Sequence, residues 1–231
     1  MLKQSIYSFA QAFGWLVAVY VPTFMLVSVL IRSGALGSID KSQMEAVSAP
    51  FIILISAAIA LAFMAFLARR RRLTLAAYGF KPASLRHLGL ALVLGLVFAL
   101  LLKVLSHILP LGAGADMGTL QRWQVILFFW IGAPIQEETI FRGLLQSVVE
   151  LRQPLVIKLG KITLPYSVLV SALLFAVVHI ATVRLGASLS TVLFTVGGAF
   201  VLGILAGSLR RVSGSLLPAI LVHALFNMLV G

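Results

Sequence analysis

The stretch "VILFFWIGAPIQEETIFRGLLQSVVE", residues 125–150, contains Glu137, Glu138 and Arg142 and no other charge before Glu150. The chain carries only six acidic residues, and two of them stand side by side in one of its most apolar segments. Whether that segment crosses a bilayer or fills a soluble core decides the fold, because the two settings put different demands on a buried glutamate.

The rest of the chain answers for a bilayer. Of 231 residues, 61% are hydrophobic and 10% charged, against about 45–50% and about 25% in an ordinary soluble domain. Mean hydropathy is +1.11. A core of this size cannot hide so much apolar surface. The net charge of +12 does not mark a nucleic-acid binder, since the basic residues fall between apolar segments rather than on a polar face. There is no cysteine, which excludes disulfides, thiolate metal sites and a cysteine nucleophile.

A crossing helix needs about 20 largely apolar residues. Seven segments qualify: 5–31, 48–68, 88–109, 123–150, 165–183, 188–209 and 214–230. The first is too long for the apolar core of a signal peptide and reads as a retained helix. Residues 154–165, "PLVIKLGKITLP", alternate as a hairpin or interfacial segment does. The expectation is an all-α polytopic transmembrane bundle of about seven spans, a single integral-membrane domain over residues 1–231, with an active-site cavity inside the bundle. Lys3, Arg69, Arg70, Arg71, Arg72, Lys81, Arg86, Arg152, Lys158, Lys161, Arg210 and Arg211 fall on one side, and only Arg32, Lys41, Arg122 and Arg184 on the other. That excess puts the amino terminus in the cytoplasm. The compact size points to the plasma or inner membrane of a prokaryote.

Charges inside such helices are costly, about 2.5–3.5 kcal/mol for an Asp, Lys or Arg at a helix centre, and so read as functional. Glu138 and Arg142 are i,i+4 neighbours and can pair. Glu137 is turned about 100° away, with no cation one turn before or after it. One carboxylate is therefore structural and the other available for chemistry. Pro134, three residues before Glu137, is expected to kink the helix. "LLFAVVHIA" places His179 one turn after Phe175, and "PAILVHALFNMLV" places His223 and Asn227 at i,i+4. Taken singly, Phe175 is core packing, each histidine a helix–helix hydrogen bond, and the "GILAG" of Gly203 to Gly207 a close-packing face. Together, Glu, two His and Asn on three helices are more than bundle glue, and converge on one hydrated cavity.

A carboxylate in a low-dielectric pocket serves as a general base near neutral pH, and imidazoles with an amide can hold a water and meet an oxyanion. Alternatively, Glu137, His179 and His223 form a zinc set with an open position. Both routes activate water against a carbonyl, so the expected reaction is amide hydrolysis inside the membrane. HExxH and GxSG are absent, and "GAGAD" (112–116) is mis-spaced for an aspartyl dyad, the only other aspartate being Asp40. A non-catalytic immunity or scaffold protein, or a proton-coupled transporter with the same buried Glu and His, is the rival. No inverted repeat of the transporter kind is visible.

"EETIFR" (137–142), "FAVVH" (175–179) and "HALFN" (223–227) fit EExxxR, FxxxH and HxxxN in order. They resemble the CPBP family, the CAAX-protease and bacteriocin-processing (Abi) intramembrane proteases of the glutamate type, as do "YGF" (78–80) and "GSLLPAILVHALFN" (214–227). The motif core is about residues 120–231. The resemblance implies that Glu137 activates the attacking water and His179 helps hold it. It implies that His223 and Asn227 serve the oxyanion, and that Glu138 and Arg142 shape the site with Phe175 nearby. It requires no cofactor for the glutamate route and leaves room for one divalent metal. The implied partners are a membrane-anchored protein or peptide substrate and the lipid bilayer, with no nucleic acid.

Overall fold

The computed structural model describes residues 2–35, 43–109, 111, 120–152, 154–160, 162–182 and 188–230. Lys41, Lys161, Arg184 and the stretch from Gly112 to Asp116 lie outside them. Among the described residues seven helical segments follow the predicted order: α1 (Leu2–Arg32), α2 (Met44–Arg71), α3 (Leu85–Ile108), the run 122–152 taken together as α4, α5 (Tyr166–Val178), α6 (Leu189–Ser213) and α7 (Leu217–Val230). A two-stranded antiparallel hairpin, β1 (Val156–Leu159) with β2 (Ile162–Pro165), joins α4 to α5 and pairs Val156 with Pro165 and Leu159 with Ile162. The alternation of 154–165 is thus a hairpin, turning at Gly160 with φ +62°.

The all-α bundle is as expected from the sequence. By length and composition four helices can cross a membrane: α1, α2, α3 and α6. With 13 residues α5 is a shorter apolar helix, about 20 Å long. The 14-residue α7 is another shorter apolar helix. α4 is longer, but its hydrogen-bond register changes along its length. α6 reaches Ser213, so Arg210 and Arg211 lie within its last turn and not in a loop.

The bundle is arranged around α4. Every residue from Glu138 to Val149 is buried, and α1, α2, α5, α6 and α7 all pack against this helix. The outer helices turn large apolar side chains outward, among them Phe13, Met25, Leu54, Phe66 and Val93. Glu138, Arg142, Gln146, Ser171 and His223 are buried inside. This polarity is that of a bundle solvated by lipid.

Close approach is built from small residues. A side chain at Gly95 of α3 would put Cβ 2.9 Å from Leu225 Cδ1 and 3.3 Å from Val222 Cα of α7. Beside that contact Phe98 stacks on Phe226. At one end of the bundle the loop after α2 is strapped to the α6–α7 turn. Arg210 Nη2 donates to Ala77 O at 2.9 Å, Leu216 N–H to Gly79 O at 2.9 Å, and Ser215 Oγ to Lys81 O at 2.6 Å. Gly79, with φ +95° and Leu216 Cγ 2.9 Å from where a Cβ would sit, is the residue type suited to that position. Tyr166 Oη donates to Ser5 O at this same end, and Arg152 lies over the Tyr7 ring at 4.1 Å.

Candidate active site

α4 carries the glutamates on a short α-helical piece, Ala133–Glu138, between two π-helical stretches, Val125–Gly132 and Thr139–Gln146. Pro134 explains the first. Proline has no N–H, and its ring crowds the carbonyl four residues back. The turn ahead of it widens, and Ala133 N–H reaches back five residues to Phe128 O. The expected break at Pro134 is therefore a bulge within an uninterrupted helical run, the kind of widening that recurs at functional sites.

The two adjacent carboxylates have opposite environments. Glu138 and Arg142 are fully buried and paired, Nη1 donating to Oε1 at 2.8 Å. The same Oε1 accepts from His223 Nδ1 at 2.8 Å, across from α7. Removing one member of such a pair strands a buried charge and costs about 3–5 kcal/mol. Glu137 keeps 23% of its side chain exposed, and its Oε2 stands 3.7 Å from His223 Nε2, too far for a hydrogen bond. Oε2 is itself buried and makes no hydrogen bond among the described residues.

The Glu138 contact also sets the chemistry of His223. Donation from Nδ1 to a carboxylate assigns the proton of the neutral ring to Nδ1 and leaves a lone pair on Nε2. Nε2 and Glu137 Oε2 are then two acceptors facing each other at 3.7 Å. Sequence spacing showed the Glu138–Arg142 pair but not this second duty of Glu138, since His223 lies 85 positions away.

Phe175 ties the remaining motif residues together. Its ring meets His179 at 4.4 Å, His223 at 5.6 Å and Phe141 at 5.0 Å between centroids, and the Arg142 guanidinium lies over it at 4.6 Å. The arginine thus balances its charge against one carboxylate and one aromatic face. His179 closes α5, where the helix tightens to a 3-10 turn, and its Nδ1 donates to Phe175 O at 2.8 Å. Behind the arginine, a Cβ on Gly203 would lie 2.8 Å from Ala172 Cα and 3.3 Å from Arg142 Nη2. The small-residue face of α6 therefore does more than pack helices, because it leaves room for the guanidinium.

Asn227 does not join this group. Its Nδ2 donates to Phe129 O at 2.9 Å, on the π-helical stretch ahead of Pro134. Several contributors gave no signal in the sequence. Gln136 Nε2 donates to Tyr20 Oη at 3.3 Å, Ser171 Oγ to Phe141 O at 2.9 Å, and Gln146 Nε2 to Gly207 O at 3.1 Å. All three reach between helices.

The alternative of a zinc set meets the geometry less well. Among the described residues no three His, Asp or Glu side chains stand close enough to hold a metal ion. The arrangement as it stands does not fit the metal, and no step below is routed through one.

Residues 119–229 match the family described as Type II CAAX prenyl endopeptidase, Rce1-like, and contain all three motifs. This agrees with the CPBP resemblance. No curated protein and no solved structure matches the chain.

Proposed function

We propose that this Rce1-like CAAX-protease family chain, a membrane protease by that family, cleaves its substrate with a glutamate-activated water held between Glu137 Oε2 and His223 Nε2. The observation that carries the reading is the contrast between the two adjacent carboxylates. Glu138 is held through Oε1 by Arg142 and His223, its own Oε2 being buried without a hydrogen bond, whereas Glu137 has no arginine partner and turns its unbonded Oε2 toward His223 Nε2.

In the proposed sequence Glu137 takes one proton from the water as its oxygen bonds to the scissile carbonyl carbon. The tetrahedral intermediate then collapses, the C–N bond breaks, and the carboxylic acid of Glu137 returns the proton to the leaving nitrogen. Glu138 fixes the tautomer and orientation of His223, as a carboxylate does behind a catalytic histidine. Arg142 pairs with Glu138, and His179, across Phe175, is the second imidazole of the proposed site. The substrate class is a membrane-associated protein or peptide. The cationic end, where Arg152 and Arg210 meet the amino terminus of α1 and the α6–α7 turn, is assigned to the cytoplasm.

The test uses purified wild type and E137Q in matched liposomes with membrane-anchored peptides, prenylated and unprenylated, with and without a chelator. Cleavage is read by mass spectrometry. The expected result is cleavage by wild type that survives chelation and is lost in E137Q. Persistence of cleavage in E137Q would remove Glu137 as the base, and loss on chelation would restore the metal route.

A further inference from the structure

We infer that Asn227 is a positioning residue, which supplies to Phe129 the hydrogen bond that Pro134 withholds. The resemblance of "HALFN" to its family motif implies an oxyanion role for this side chain. The geometry points to its other use.

In an α-helix the Phe129 carbonyl would accept from the N–H four residues on, that of Ala133. Ala133 N–H is taken by Phe128 O, five residues back. In that wider register Phe129 should accept from residue 134, which is proline and has no N–H to give. Neither register leaves Phe129 O its helical donor, and in a membrane no bulk water replaces it. Asn227 Nδ2 lies 2.9 Å from that oxygen, so the side-chain amide of α7 stands in for the missing backbone amide of α4.

The consequence reaches the site through His223. Asn227 and His223 are one helical turn apart on α7, and both hold α4, one at Phe129 and the other at Glu138. Two pins one turn apart fix the register of the two helices. Without the Phe129 pin, the His223–Glu138 bond is left as the hydrogen bond described between α7 and α4 that sets how far Nε2 stands from Glu137 Oε2. Asn227 therefore acts on the water site through the placement of His223, and its contribution depends on residue 134 being proline.

This dependence is open to a double-mutant cycle in the full-length chain, with N227L, P134A and the pair, and N227A as a second variant should leucine prove too bulky. P134A restores a backbone N–H at the position that Phe129 O lacks. N227L is expected to lower Tm by about 3–8 °C in the wild-type background and by much less in P134A. Equal losses in both backgrounds would overturn the inference. Since thermal unfolding needs no substrate, this arm decides the matter even if the peptidase reading fails. Activity forms the second arm and rests on that reading. N227L is expected to lose about 100-fold in the wild-type background, as misplaced catalytic groups do, and most of that loss is expected to be recovered in P134A. A loss of the same size that persists in P134A would mean that the amide touches the reacting atoms, and would overturn the positioning role.

Discussion

α4 carries three glutamates, and the two ends of its buried stretch use them in opposite ways. Near the middle, Glu138 meets one arginine of its own helix and one histidine of α7, all nearly sealed from the surface, while Glu137 beside it has a buried oxygen with no hydrogen bond. Twelve residues on, Glu150 meets two arginines of α6, Arg211 at 2.5 Å and Arg210 at 3.6 Å, with about a quarter of its side chain exposed. The Glu150 group is a clamp. It holds α4 to α6, and Arg210 continues the hold to Ser147 Oγ at 2.8 Å and to the Ala77 carbonyl. Both groups set carboxylates against arginine. Each group leaves a carboxylate oxygen without a hydrogen bond, Glu150 Oε2 in one and Glu137 Oε2 in the other, but Glu150 Oε2 faces an arginine and Glu137 Oε2 faces a ring nitrogen.

The same Glu→Gln change at three points of one helix separates the two uses. E137Q should abolish cleavage, by about 10³-fold or more, while Tm stays within about 2 °C of wild type, because no folded-state bond is lost. E138Q should damage both properties. It leaves Arg142 buried without a countercharge, at about 3–5 kcal/mol, or roughly 10 °C in Tm, and it frees His223 from its orienting acceptor. The double variant E138Q/R142Q should lose clearly less stability than the sum of its single changes, since it removes both charges together. If E137Q proved the more destabilising of the two single changes, the division of labour between the neighbours would be reversed.

How far this division could be read beforehand depends on the range of each interaction. The i,i+4 spacing of Glu138 and Arg142 is local, and it singled out Glu137 correctly as the carboxylate without an ionic partner on its own helix. The helix order and the hairpin were legible for the same reason, as both are written in short-range periodicity. The contact of His223 with Glu138 was not, because it joins residues on different helices and no repeat records it. The widened turns of α4 were equally hidden, since a shift from four- to five-residue hydrogen bonds leaves the apolar pattern intact. Arg210 was misjudged as one of a loop's basic residues. A cation after a long apolar run reads as the end of a span, yet this one is only 6% exposed and bonded to a carbonyl and a hydroxyl.

A smaller effect sharpens the contrast from the α6 side. G203A introduces a Cβ at 2.8 Å from Ala172 Cα and 3.3 Å from Arg142 Nη2. The backbone contact cannot yield cheaply, so a cost of about 1–3 kcal/mol is expected from overpacking. Cleavage should fall with it, because the guanidinium that must give way rests on Glu138 and on the Phe175 ring. G14A is the control, since nothing lies within 4 Å of a Cβ there, and it should leave both properties unchanged. A G203A protein with wild-type Tm would mean that α5 and α6 can part without cost, and that Gly203 does not set the arginine's place.

The smallest effect belongs to the clamp. Arg211 is about a third exposed, and its partner Glu150 retains Arg210 when Arg211 is removed. An exposed ion pair contributes about 0–1 kcal/mol, and here one cation can cover for another. R211Q should therefore shift Tm by no more than about 2–3 °C, should shift it less at high salt, where the pair is already screened, and should cleave at the wild-type rate. Thermal unfolding at low and high ionic strength, with cleavage measured alongside, checks all three. A loss of cleavage in R211Q at unchanged Tm would show that the end of α4 reports to its middle, and the clamp would then have to be counted part of the site.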